Sequence, residues 1–130
     1  MSREIIVPIV LPVVLPGGTG AADLLTDLIL PFSGEIVDWA FVTTVVSTGA
    51  GATRTFNVEI GTTNVGGTAT AIALADTDTV GKVKELGAAS GDNRFRKDEK
   101  LSIEVAAGGT AFTAGEGYFI IWARHNTRGI

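Results

Sequence analysis

Cysteine is absent from the 130 residues. That excludes a disulfide framework, a thiolate zinc site and thiol chemistry, and it fits synthesis in a reducing cytoplasm. Histidine occurs once, at His125. Charge is scarce: Asp, Glu, Lys and Arg make up 18% of the chain, against about 25% in an average soluble protein. It is also unevenly placed, since residues 5–22 and 39–53 carry none. The net charge of −4 disfavours nonspecific nucleic-acid binding, which rests on neutralising phosphates with Lys and Arg. No run is long enough for a membrane helix, which needs about 20 apolar residues.

What remains is 45% hydrophobic, with 17 Gly and 16 Thr. Such a composition suits short strands joined by tight turns and excludes disorder. Residues 35–48 are rich in β-branched and aromatic side chains and apolar on both faces, which predicts a central strand. Its faces read Val37, Trp39 and Phe41 on one side, Ile36, Ala40 and Val42 on the other. Residues 54–60 alternate, with Phe56, Val58 and Ile60 opposite Thr55, Asn57 and Glu59. Leu101, Ile103 and Val105 alternate likewise, and 118–124 closes the series with Tyr118, Ile120 and Trp122 opposite Phe119, Ile121 and Ala123. Strands are also expected over 23–30, 68–74 and 79–86. The expectation is an all-β, antiparallel β-sandwich of seven to eight strands. Long connections at 87–93 and 106–117, read as crossings between sheets, favour Greek-key or jelly-roll order.

The amino-terminal stretch Ile5, Ile6, Val7, Pro8, Ile9, Val10, Leu11, Pro12, Val13, Val14, Leu15 is apolar, with Pro8, Pro12 and Pro16 four residues apart. A signal peptide fits poorly, because Arg3 and Glu4 cancel and prolines interrupt the run. Two readings stand. The segment is an edge strand of its own domain, or an extended arm over residues 1–20, hinged at Gly17–Gly20, that a neighbouring subunit or shell covers. On the second reading residues 21–130 form the domain, Ile5–Leu15 are the subunit contact, and removing 2–16 leaves the fold intact.

The tests for chemistry fail. Asp76–Gly81 opens like a calcium loop but has Val80 at its fifth place and Gly87 where a bidentate Glu is required. Gly81-Lys82 lacks the remaining residues of a phosphate loop. Ser90 does not sit in a nucleophile elbow. His125, beside Arg124 and Arg128, reads as a solvated or carbonyl-bonded histidine. Arg94-Phe-Arg-Lys97 interleaves base and aromatic, but nearby acids offset it, so a solvated loop or polar protein contact is expected rather than nucleic acid. Trp39, Trp122 and Tyr118 are assigned to the core, while Phe95 and Phe112 are the turn aromatics that a glycan reader would use. No catalytic residue, metal ligand or cofactor is expected.

Leu30-Pro-Phe-Ser-Gly-Glu-Ile-Val37, a long strand, Gly49-Ala-Gly51 and Thr55-Phe-Asn-Val-Glu-Ile-Gly61 resemble small tailed-bacteriophage head decoration (cement) proteins. So does Asn93-Arg-Phe-Arg-Lys-Asp-Glu-Lys-Leu-Ser-Ile103, followed by Gly108-Gly109 and a last apolar strand. The likeness covers about residues 22–124, and departs at Asp98-Glu99, where a Gly-Asp pair would precede the penultimate strand. It implies a jelly-roll-like sandwich, often a homotrimer, on the exterior of a capsid. The implied partner is the major capsid protein, with synthesis in the host bacterial cytoplasm and no catalytic residues. The alternative, from another class, is a carbohydrate- or receptor-binding sandwich of a phage tail or fibre.

Overall fold

The computed structural model describes residues 4–126, so Arg3 and Arg128 lie outside the described residues. Ten strands are present among them: β1 (Glu4–Val14), β2 (Ala22–Ile29), β3 (Gly34–Thr48), β4 (Thr53–Ile60), β5 (Thr63–Asn64), β6 (Thr70–Ala73), β7 (Val83–Ala88), β8 (Arg94–Phe95), β9 (Lys100–Val105) and β10 (Ala114–Asn126). A 3-10 turn spans Leu74–Thr77. Two strands are of only two residues, which leaves the eight that a jelly roll requires.

One sheet runs β1-β10-β3-β7, with β8 also on β3; the other runs β2-β9-β4-β5, with β6 also on β4. Every pairing is antiparallel. The nested pairs β1 with β10, β2 with β9, β3 with β7 and β4 with β6 are those of one long hairpin rolled into a sandwich. That is jelly-roll order, as the long connections led one to expect. The 106–113 connection does cross between sheets, whereas 89–93 joins β7 to β8 within one sheet. The crossing nearby is instead the short turn after β8.

The core lies between the sheets. Phe119 sits at its centre, stacked on Trp39 (5.0 Å), edge-on to Phe41 (5.0 Å) and tilted against Phe56 (5.6 Å). Phe56, Val58, Leu101, Ile103 and Val105 are fully buried, as their alternation predicts. Gly117 leaves room for the neighbouring strand: a Cβ there would meet the Phe41 ring and the Val42 carbonyl oxygen at 2.3 Å each. One face assignment changes. A bulge between Trp122 and Ala123 makes Ile36 the partner of Ala123, so Ile36 is buried beside Trp39 while Val37 is displaced from the core face.

The amino-terminal prolines do not interrupt a ladder. All eleven residues of β1 pair with β10, from Glu4 opposite Asn126 to Val14 opposite Glu116. The Leu15 N–H donates to the Gly115 carbonyl at 2.9 Å, which fixes the parity of the ladder: odd residues bond to β10 and even residues turn their backbone to the free edge. Pro8 and Pro12 are both even. A spacing of four keeps each proline on the side where no N–H is needed. Of the stretch read above as an edge strand or an arm, Glu4–Val14 form an edge strand, with Ile9, Leu11 and Val13 packed on the core and Leu15 buried beyond it. Removing 2–16 would strip that strand from the core rather than leave the fold untouched.

The Gly17–Gly20 connection is pinned as well. Arg54, 1% exposed, donates from Nη1 to the Gly18 carbonyl and from Nη2 to the carbonyls of Gly20 (3.0 Å) and Ala106 (2.8 Å). No helix among the described residues is long and apolar enough to cross a membrane.

Candidate interaction surface

An antiparallel sandwich ordinarily turns a polar face to water on both sides. Here the two outer faces differ. The outer face of the β2-β9-β4-β5 sheet carries Asp23, Asn57, Glu59, Ser102 and Glu104. Asn57 donates from Nδ2 to the Asn64 side-chain oxygen at 3.0 Å, and the Ser102 hydroxyl donates to Glu59 Oε1 at 3.2 Å. Carboxylate oxygens of Asp23, Glu59 and Glu104 lie within 4.8 Å of one another. Burial, then the Glu104 and Asp23 charges, push the Glu59 carboxyl above the usual carboxylate range, against the lowering by the Ser102 hydrogen bond. We read this trio as an electrostatic penalty on the sheet.

The sign of that penalty gives a prediction. A raised folded-state pKa means the native state holds a proton that the unfolded chain has released. Stability from this group is greatest at acid pH and falls as pH climbs through the shifted value. Glu59→Gln keeps an acceptor for Ser102 and removes the charge. It should raise the denaturation midpoint at neutral pH and leave it nearly unchanged at acid pH, in urea titrations at the two pH values.

The outer face of the β1-β10-β3-β7 sheet is apolar. Its rows, read across the strands, are Pro8-Trp122-Asp38-Ala88, then Val10-Ile120-Ala40-Glu85, then Pro12-Tyr118-Val42-Val83. Ile6 and Val14 extend it at either end of β1. Val10 is 53% exposed, Val14 64% and Trp122 37%. Trp122 and Tyr118 therefore belong to this surface and not to the core, whereas Trp39 is fully buried and donates from Nε1 to the Thr68 carbonyl at 3.2 Å. Two acids interrupt the apolar rows: Glu85 lies on edge strand β7, and Asp38, on inner strand β3, accepts the Trp39 N–H at 2.7 Å.

Of the residues expected to make contact, Ile6, Pro8, Val10, Pro12 and Val14 face outward, and Ile5 is exposed at the strand end. Val7, Ile9, Leu11, Val13 and Leu15 turn inward. Sequence reasoning missed Tyr118, Ile120 and Trp122 as part of the same surface. The signal was present as a second apolar face on the last strand.

The remaining sequence candidates are structural. Asp76 accepts the Ala73 N–H at 2.8 Å and pairs with Lys84 at 3.5 Å; Asp78 pairs with Lys82 at 2.9 Å. The Lys82 hydrogen bond holds the Asp78 carboxyl below its usual range. His125 is neither solvated nor carbonyl-bonded at Nε2; its ring packs on Phe32 at 4.6 Å, and buried Nε2 has no hydrogen-bond partner. Phe95 and Phe112 are 2% exposed each, so the turn aromatics that a glycan reader would need are in the core. Phe95 meets Phe32 edge-on at 5.6 Å. Arg94 and Arg96 stay exposed and line a cavity of about 530 Å³ with Glu35, Glu99 and Arg124. Acids and bases are mixed there, which does not make a phosphate-tracking groove.

No protein-family model matches the chain, and no curated protein is similar to it in sequence. Similarity to solved structures is at the level of fold. The VP2 subviral particle of infectious bursal disease virus matches with a TM-score of 0.51 and 12% identity, over 98% of this chain and 34% of that one. The acid-stable capsid structure of Helicobacter pylori bacteriophage KHP30 matches at 0.47 and 14%, over 95% and 93%. Dimeric latent PorU from Porphyromonas gingivalis matches at 0.46 and 10%, over 96% and 13%. The chain thus spans a minor part of VP2 and PorU. The VP2 likeness supports the sandwich and nothing finer; the other two carry no argument.

Proposed function

We propose that this chain is a non-enzymatic structural virion protein that decorates and stabilises a phage capsid from its exterior. It binds major capsid protein subunits as an oligomer, a homotrimer on the sequence resemblance. The observation that carries the reading is the unpartnered apolar face built on β1 and β10. Large exposed apolar patches mark interaction sites, and every buried Å² of such a face yields about 25 cal/mol. The chain presents this face on a rigid jelly roll. Its free edge is blunted by Pro8 and Pro12, which favours docking by the face over addition of a strand. Ile6, Pro8, Val10, Pro12 and Val14 supply the β1 part of the contact.

Val10→Lys tests it, since Val10 is half exposed and its replacement leaves the core alone. The wild-type chain should co-sediment with empty shells assembled from the major capsid protein of its phage. Val10→Lys should lower that binding at least about tenfold, because a lysine must then be desolvated in the contact. Absence of wild-type binding to the shells would overturn the reading.

A further inference from the structure

The outward column of β10 reads Glu116, Tyr118, Ile120, Trp122, Arg124. An acid stands at one end, a base at the other, with apolar residues between. The column is charge-complementary to its own reverse. In a two-fold contact each residue i that meets j is matched by j meeting i. Place the dyad in the plane between two such sheets, across the strands and over Ile120. Glu116 of one copy then faces Arg124 of the other, and Tyr118 faces Trp122. Ile120 meets its own copy.

The neighbouring strand obeys the same operation. Val10 is the partner of Ile120 in the ladder and lies in the dyad row. Pro8 is brought over Pro12, and Ile6 over Val14, so β1 is apolar throughout the contact. Ala40, beside Ile120 on β3, is small and leaves the dyad row flat. Two acids enter the contact: Asp38, brought over Val42, is turned onto its own backbone, and Glu85, in the dyad row on edge strand β7, meets its own copy at the solvent-exposed rim.

The size of the face suits such a pairing. Roughly nine residues of strand, at about 3.3 Å each, and four strands about 4.8 Å apart give a face near 30 by 19 Å, or about 570 Å². Two copies would bury about 1,100 Å², just above the roughly 1,000 Å² that a specific interface needs and below the standard size. Sheets packed face to face align within about 30°, which keeps the end charges within reach of each other.

We infer that the occupant of the β1-β10 face is a second copy of this chain, packed face to face about a two-fold axis through Ile120. This rests on the reading that the face is an assembly surface and adds what covers it in the free protein. On the shell the capsid protein takes the place of the second copy, so the two contacts compete for one face.

The test is a charge-swap complementation followed by sedimentation equilibrium on the full chain. Wild-type protein should dimerise reversibly. Glu116→Lys alone sets Lys against Arg124 twice per dimer, and Arg124→Glu alone sets Glu against Glu116 twice. Each should weaken association at least about tenfold. An equimolar mixture of the two variants restores both opposite-charge pairs and should associate about as well as wild type. A mixture no stronger than either variant alone would overturn the proposal, as would a monomeric wild type. Arg124 also pairs with Glu35 within its own chain, so the fold of Arg124→Glu must be checked by circular dichroism. Should it not fold, Ile120→Lys places two lysines against each other on the dyad and must give a monomer. A wild-type monomer that still binds shells through Val10 would sink the two-fold pairing alone and leave the shell-binding reading standing.

Discussion

Replacing Arg54 with Met should cost about 3 kcal/mol or more of unfolding free energy and lower the melting temperature by about 10 °C. The Arg54 guanidinium is almost fully buried and is held by three backbone carbonyls, those of Gly18, Gly20 and Ala106. Hydrogen bonds from a charged donor contribute about 1.5–3 kcal/mol each. Methionine fills much of the same volume, so little of the loss would come from a cavity. What it removes is the group that ties the β1–β2 connection to the turn after β9. Ala106 lies just past β9, and Gly18 and Gly20 lie between β1 and β2. The carbonyls would turn to water, and the loops would open with them. Urea unfolding should show a lower midpoint. A larger effect on protease cleavage near Gly18 than on the midpoint would show local release of the connection before global unfolding.

Phe119→Ala should be costlier still, at about 3–5 kcal/mol. Its ring touches Trp39, Phe41 and Phe56, so both sheets meet on it. Removing it leaves a void between β10, β3 and β4, and paired strands collapse onto such a void poorly. Aromatic pairs add about 0.5–1.5 kcal/mol each beyond buried area. Phe119→Leu should recover part of the loss, because the void shrinks. Urea midpoints of the two variants check the order: wild type, then Leu, then Ala. An Ala variant as stable as the Leu variant would mean that the core relaxes around residue 119.

Much of the architecture was legible because alternation reports which face is buried. Phe56, Val58 and Ile60 in β4, and Leu101, Ile103 and Val105 in β9, are opposed by polar neighbours, and their burial follows. The same rule is silent where both faces are apolar. In β10, period two separates Tyr118, Ile120 and Trp122 from Phe119, Ile121 and Ala123, but cannot say which set meets the other sheet. Their place in a strongly apolar strand and their size point the rings of Trp122 and Tyr118 to the core, and only the register turns them outward. Ile36 and Val37 exchanged roles for a different reason: one extra residue in a strand reverses parity beyond it, and a bulge leaves no strong mark in composition.

The prolines of β1 are a case where the pattern was visible and its consequence was not. Proline forbids a hydrogen bond only on the side its nitrogen faces. Pro8 and Pro12, spaced by four, share one side, so the spacing that looks disruptive is compatible with an unbroken ladder on the other. The candidate surface was half legible for the same reason. The β1 residues were named from their hydrophobicity, while their β10 neighbours come into the patch only through the register.

The nesting of the strands also sets an order of events during synthesis. Pro8 pairs with Trp122, so β1 leaves the ribosome long before its partner exists. For that interval an apolar strand stands without its ladder, and such segments seed aggregation. Pro8 and Pro12 deny a stray strand the donors it would need on one side of β1. They act as gatekeepers for a nascent chain whose fold closes late, with its most distant contacts formed last and its folding correspondingly slow.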